Sequence, residues 1–295
     1  MHRPLCRRRA HEGPPLGGRL MTLPILVWMT LFVGAALIYV VILSFLTRTP
    51  EGFGVTNAFT LDNYRKLLDP KYLKVLWQSV RLAIHTTLIC VLIGYPFGYF
   101  MARTKGAWRG ILMLLVIVPF WTNALVRIYG WRILLMANGP INEFLKAIGL
   151  IEQPLKLLNT YGAVLLGMVY ALIPFMILST YASAEKMDWS LVEAGRDLGA
   201  GAARVFFTVT VPQTLPGLLS GCVLVFVPSV GLFFISDLLG GATEALAGSL
   251  IRDQLLKSRD MPFAAALSVV LLALTCVILL LYSRAGGKSS NLSLF

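Results

Sequence analysis

Long apolar runs separated by short polar segments dominate this chain. Six of them, at 22–46, 75–101, 111–131, 162–182, 215–235 and 263–283, have the length of a bilayer crossing. A helix needs about 20 mostly apolar residues to traverse the hydrocarbon core. The pattern predicts an all-α integral membrane fold with six transmembrane helices. The connecting segments differ in length. The turn at 102–110 is tight, whereas 47–74, 132–161 and 236–262 are longer and read as short interfacial helices. In the first, Asp62 is placed to cap a helix and Pro70 to stop it. In the second, a helix beginning near Pro140 ends on Gly149, a residue type suited to the position just past a helix.

Composition narrows the class. Of 295 residues, 57% are hydrophobic and 14% charged, against roughly 45–50% and 25% in soluble domains. That excludes a soluble globule, a disordered chain, a collagen and a disulfide scaffold. The net charge of +12 would suggest nucleic acid in a soluble protein. Here it fits loops that orient helices and touch anionic membrane lipid, with no nucleic-acid partner. Cys6, Cys90, Cys222 and Cys276 share no C-x-x-C spacing and are expected as free thiols. His2, His11 and His85 have no partner at metal-ligand spacing.

Arg7-Arg8-Arg9 precede the first run as in a signal peptide, but that run exceeds a signal core of about 7–15 residues and no small-x-small site follows. It reads as a retained anchor, with residues before Met21 either a loose tail or upstream of an alternative start. An even number of spans puts both termini on one side. Lys and Arg divide almost evenly between the two sides. The basic cluster before the first run and Arg103, Lys105 and Arg109 in the tight turn place both termini in the cytoplasm. The organisation is then a basic tail (1–21), a six-helix domain (22–283) and a short tail (284–295).

The loop at 183–213 carries the most specific pattern. Ser190-Leu191-Val192-Glu193 fits an S-x-x-E capping box. Leu191, Ala194 and Leu198 share one helical face, and Gly199 can take the left-handed conformation that ends a helix. A helix of about two turns, with an apolar stripe and no place in the bilayer, is marginal alone and needs a partner. That partner is either its own bundle or another subunit.

At these residues the chain resembles a known family. Glu193-Ala194-Gly195, three residues, Gly199, nine residues, then Val209-Thr210-Val211-Pro212 is similar to the E-A-A-x3-G-x9-I-x-L-P signature of ABC importer permeases. Gly195 replaces the second alanine, Val209 the isoleucine and Val211 the leucine. The resemblance implies a six-helix permease of the cell inner membrane, with a cytoplasmic coupling helix that docks on a separate ATPase. Phe59-Thr60-Leu61-Asp62-Asn63-Tyr64, Trp121-Thr122-Asn123, Arg127-Ile128-Tyr129-Gly130-Trp131 and Ser236-Asp237-Leu238-Leu239 look like the spermidine/putrescine branch. It implies a second permease subunit, two ATPase subunits, a periplasmic substrate-binding protein and no cofactor on this chain. A Walker A loop needs Gly-x4-Gly-Lys-Ser/Thr. Gly287-Lys288-Ser289 is a partial match whose earlier glycine is Tyr282, so ATP belongs to the partner.

For the path of a polyamine, Trp121, Thr122, Asn123 and Tyr129 offer aromatic faces and weak acceptors, and Asp237 offers a carboxylate. Trp and Tyr also gather in interfacial belts, and Asp237 also suits a loop ion pair. Pro119 and Pro228 interrupt two runs, as kinks beside a path or as packed kinks. The glycine pairs Gly94/Gly98 and Gly217/Gly221 allow close contact within the subunit or with a second one. Arg81 either snorkels or lines the path, where it would repel a polycation. A secondary transporter would need carboxylates at membrane depth, and a membrane-embedded enzyme a cluster of His, Asp or Glu there. The sequence shows neither.

Overall fold

The computed structural model describes residues 16–49, 54–241 and 246–286. The Arg7-Arg8-Arg9 cluster, Cys6, His2, His11 and Gly287-Lys288-Ser289 lie outside the described residues. Helices α1 (Leu16–Met29) and α2 (Ala35–Ser44) run together through a π-helical turn, Thr30–Gly34. A two-stranded antiparallel ribbon, β1 (Leu46–Arg48) and β2 (Val55–Phe59), follows, with a register shift between Leu46 and Thr47. Next come α3 (Asp62–Leu67), α4 (Pro70–Arg103), α5 (Ala107–Trp121), α6 (Ala124–Leu135) and α7 (Pro140–Ala147). The remainder is α8 (Tyr161–Glu185), α9 (Ser190–Asp197), α10 (Ala202–Val205), α11 (Val211–Gly231), α12 (Phe233–Ile235), α13 (Ala247–Leu256) and α14 (Met261–Gly286). Further π turns, Phe206–Thr210 and Ser236–Gly240, precede α11 and follow α12.

Helices α4, α8 and α11 form the core. Both glycine pairs face α8. A Cβ on Gly94 or Gly221 would stand 2.9 or 2.7 Å from Met176, and one on Gly98 2.7 Å from the Ile177 carbonyl oxygen. One on Gly217 would run into Ser183. The pairs therefore serve contacts inside the subunit. Lipid tails give apolar helices little reason to associate, so close backbone approach and interhelical hydrogen bonds must hold them. Ser179 Oγ donates to the Gly217 carbonyl at 2.7 Å, and the Tyr95 and Thr214 hydroxyls lie 2.7 Å apart.

Among the described residues, five helices are long and apolar enough to span a membrane: Thr22–Ser44, Pro70–Arg103, Tyr161–Glu185, Ala202–Gly231 and Met261–Tyr282. The third expected run, 111–131, is not one helix. It is a pair, Ala107–Trp121 and Ala124–Ala147, bent by 93°. Pro119 leaves the carbonyl four residues back without its donor. Thr122 then turns extended, and its hydroxyl donates to the Pro119 carbonyl at 2.7 Å. Asn123 starts α6 by accepting from the Leu125 amide at 2.8 Å. The fifth run is also displaced. It starts at Ala202 rather than 215 and stops at Gly231, where Leu232 leaves the helical region (φ −72°, ψ 81°) beyond Pro228. Pro212 therefore sits inside this helix, just after a π turn that shifts the bond ladder ahead of the missing donor.

Two expected punctuation marks are also corrected. Asp62 occupies the first helical position of α3, and its amide donates to Thr60 Oγ1 at 3.1 Å, so Thr60 is the capping side chain. Pro70 opens α4 instead of stopping α3. Asp69 caps α4 by accepting from the Lys71 amide at 3.0 Å, and a proline in the first turn forfeits no helical bond. Gly149 does follow α7 with φ +71°, and the Leu150 amide closes the end on the Leu145 carbonyl at 3.0 Å.

Candidate functional site

Helix α9 lies in the connection between α8 and α11, at the end of the bundle where α4 also finishes. Its inward anchor is Val192, buried against Met187 and Val205 with Trp189 and Tyr99 beside them. The expected capping box does not form. Trp189 holds the cap position without a side-chain bond, and Asp188 accepts from the Ser190 amide at 3.0 Å. The chain enters α9 one residue earlier than a Ser190 cap requires, so the aspartate reaches the free amide first. Hydrogen bonds from the Ser190 side chain and amide hold the Asp188 carboxyl below the usual carboxylate range. The other end closes as expected. Gly199 sits at φ +80°, its amide donates to the Arg196 carbonyl at 2.8 Å and the Ala200 amide to that of Gly195 at 3.2 Å. This is the paired 5→2 and 6→1 closure of a Schellman motif.

With Val192 turned inward, the stripe that includes Ala194 faces out. Leu191 is 48% exposed and Leu198 89%. Glu193 is exposed on the same short helix. Gly195 now has a local reason: a Cβ there would stand 3.3 Å from Val205 Cγ2. The helix approaches α10 more closely than an alanine comfortably allows.

Aromatic rings tie this loop to the core. Trp189 lies 5.7 Å from Tyr99, and Phe206 lies 5.9 Å from Tyr99 and 6.1 Å from Tyr95. The Arg103 guanidinium stacks over Trp189 at 5.7 Å, and Arg109 pairs with Glu185 and the Tyr181 hydroxyl. The tight turn at 102–110 is thereby fastened to the end of α8 and to the root of α9.

The proposed path residues divide into two places. Trp121, Thr122 and Asn123 form the break between α5 and α6, with Tyr129 further along α6. Trp121 is 79% exposed, while the Thr122 and Asn123 side chains are engaged by backbone groups. Asp237 lies in the π turn packed against α6 and α8. Its carboxylate pairs with Arg252, which also binds Asp253 at 2.6 Å, and Lys257 binds Asp253 at 2.7 Å. Partial burial pushes the Asp253 carboxyl up, but Lys257 and Arg252 outweigh it and hold the group below its ordinary range.

One residue passed over in the sequence stands out. Arg127 of α6 lies between the Phe120 ring (5.4 Å) and the Tyr170 ring (5.7 Å), with its Nε buried and without a hydrogen-bond partner. An arginine inside an apolar run was the available signal. Arg81 stacks on Tyr161 at 5.2 Å, and His85 Nδ1 is 2.6 Å from the same hydroxyl. Tyr161 opens α8, at the end opposite α9, so Arg81 reaches toward that end. Among the described residues no three His, Cys, Asp or Glu side chains are grouped to hold a metal.

Comparison with known proteins agrees with this architecture. Residues 94–285 match the family model described as "Binding-protein-dependent transport system inner membrane component". The spermidine/putrescine transport system permease protein PotB of Escherichia coli (strain K12) is 46% identical over 265 residues, covering 90% of this chain and 96% of the relative. The Haemophilus influenzae protein of the same name is 43% identical, covering 88% and 90%. In fold, the chain is similar to a crystal structure of a bacterial ABC transporter involved in import of the acidic polysaccharide alginate. That match has a TM-score of 0.71 at 16% identity and covers 92% of this chain and 96% of the other. The chain therefore belongs to the family of binding-protein-dependent transport system inner membrane components, and it is an ABC importer permease subunit.

Proposed function

We propose that this permease carries polyamines of the spermidine and putrescine type inward, driven by ATP hydrolysis on separate subunits. The observation that carries the coupling half is the geometry of α9: a helix capped at both ends, anchored by Val192, with Leu191 and Leu198 exposed and aimed away from the bundle. Two ATPase subunits would bury that stripe, one on this chain and one on a second permease subunit, while a periplasmic binding protein delivers substrate at the far end. This assignment puts α9 and the 102–110 turn in the cytoplasm, with both termini, and 47–74 on the outer side. The substrate half is supported by the relatives 43–46% identical over most of their length.

In the path, Trp121 and Tyr129 supply π faces for passing ammonium groups. A polycation needs dispersed, weak holds that let it leave again. Asp237 can join only by exchanging its Arg252 partner for a substrate ammonium. The test is uptake of labelled spermidine, putrescine and a neutral sugar into proteoliposomes holding the whole complex and its binding protein. Uptake of either amine, dependent on internal ATP, is expected. Transport of the neutral solute alone would overturn the substrate assignment, and transport on an ion gradient without ATP would overturn the coupling assignment.

A further inference from the structure

The end of the bundle away from the coupling helix holds a second feature that transport does not use. A groove of about 490 Å³ opens between α3, the start of α4 and α14. Leu61, Leu68, Leu73, Leu76 and Val270 make it almost wholly apolar, and Arg65 stands on its rim. Val270 is nine residues into α14, about 13 Å along its axis from Met261. The groove thus runs from the interfacial helix α3 down into the hydrocarbon layer.

The rim is basic. Between 62 and 74 the chain has Arg65, Lys66, Lys71 and Lys74 against Asp62 and Asp69. Asp69 caps α4, Asp62 accepts from the Thr60 hydroxyl at 2.8 Å, and Lys66 lies 3.9 Å from Asp260. Arg65 is exposed and forms no ion pair among the described residues. An apolar groove beside a guanidinium that forms no ion pair suits an apolar chain ending in an anionic phosphodiester.

We propose that this groove is a binding site for an anionic phospholipid such as phosphatidylglycerol, with an acyl chain along Leu68, Leu73 and Val270 and its phosphate on Arg65. Guanidinium groups favour phosphate because their planar fork matches two oxygens at once. The inference goes beyond the transport reading and is independent of which solute is carried.

The experiment places a reporter in the groove. Leu68→Trp, in the whole complex reconstituted in nanodiscs, is read as the difference from the parent fluorescence while brominated phosphatidylglycerol or brominated phosphatidylcholine replaces part of the lipid. Stronger quenching by the anionic lipid is expected, by about five-fold in relative affinity for one cation near the surface. Arg65→Gln in the same background should bring the ratio to about one while tail quenching persists. Inorganic phosphate, at matched ionic strength, should displace nothing. Equal quenching by both lipids before the Arg65 change, or a preference that survives it, overturns the proposal. So does loss of the preference to phosphate alone, which would make the rim a free-anion site, and absence of quenching by either lipid, which would mean a protein partner fills the groove. Co-purification of the partner subunits checks that each variant is folded.

Discussion

Leu198→Ala isolates docking from folding. The side chain is 89% exposed, so its truncation removes almost no packing within the subunit. Leu198 follows the last residue of α9, so its truncation removes no helical position. Docking on an ATPase changes the account. Leu to Ala deletes three methyl or methylene groups, each contributing about 0.8 kcal/mol when buried. Complete burial in the complex gives about 2.4 kcal/mol and burial of less than half about 1 kcal/mol, a roughly five- to sixty-fold weaker dissociation constant. The assay is titration of purified ATPase onto the permease in nanodiscs, with substrate-stimulated ATP hydrolysis measured in parallel. Both should move together, while membrane insertion and permease pairing stay at parental levels. Unchanged ATPase affinity in Leu198→Ala and in the double variant with Leu191→Ala would refute the assignment of this stripe as the docking face.

Gly199→Asp places a Cβ at φ +80° where no neighbouring atom obstructs it, so its cost is backbone strain of about 1–2 kcal/mol. Stimulated ATP hydrolysis should fall with the chain still in the membrane. Gly195→Ala gains about 1 kcal/mol of helix propensity but brings Cβ to 3.3 Å from Val205 Cγ2; coupling near the parental level is expected, and adding Val205→Ala should lower heat resistance in ATPase assays, because Val205 is buried against Met187 and Val192. Asp188→Asn keeps an acceptor for the Ser190 amide whereas Asp188→Ala does not, so alanine should lower coupling more. The depressed Asp188 carboxyl means this cap is fully present above the usual carboxylate range and fades as pH falls through its lowered value; loss of coupling through this group near neutral pH would contradict it. Trp121→Leu and Tyr129→Leu should each slow amine uptake by roughly two- to thirty-fold, from about 0.5–2 kcal/mol per cation–π contact, and wild-type uptake in both would remove them from the path.

Hydrophobic run length revealed where the chain crosses the membrane, because the bilayer imposes one length on every crossing helix. It did not reveal where a run bends. Residues 111–131 are as apolar as a straight span, and the decision to break lies in Pro119, Thr122 and Asn123 acting together. Each alone is tolerated in a membrane helix when a neighbour satisfies the freed backbone. The fifth run failed differently. Its start mixes Arg204, Thr208 and Thr210 with apolar residues ahead of Pro212, which reads as a break, although the backbone continues as one helix from Ala202. The ribbon of β1 and β2 was missed because pairing between 46–48 and 55–59 depends on contacts across a turn, not on local periodicity.

In the loop that carries α9, the glycine and the apolar stripe were legible because each follows from local geometry: one from a positive φ, the other from helical spacing. The N-terminal cap was not. Asp188 and Ser190 both suit a cap, and the choice depends on where the chain leaves α8, which is set by the packing of Met187 and Val192 under Trp189. The same limit applies to charges. Asp237 looked available for an ammonium because Arg252 is fifteen residues away in sequence, yet in space the two are paired. Arg127 shows the converse. It sits between Phe120 and Tyr170 with an unpartnered Nε, and its positive charge lies on the same helix as Tyr129. On the path proposed above, a polycation passing Tyr129 would meet this charge two residues away on α6 unless an acid balanced it.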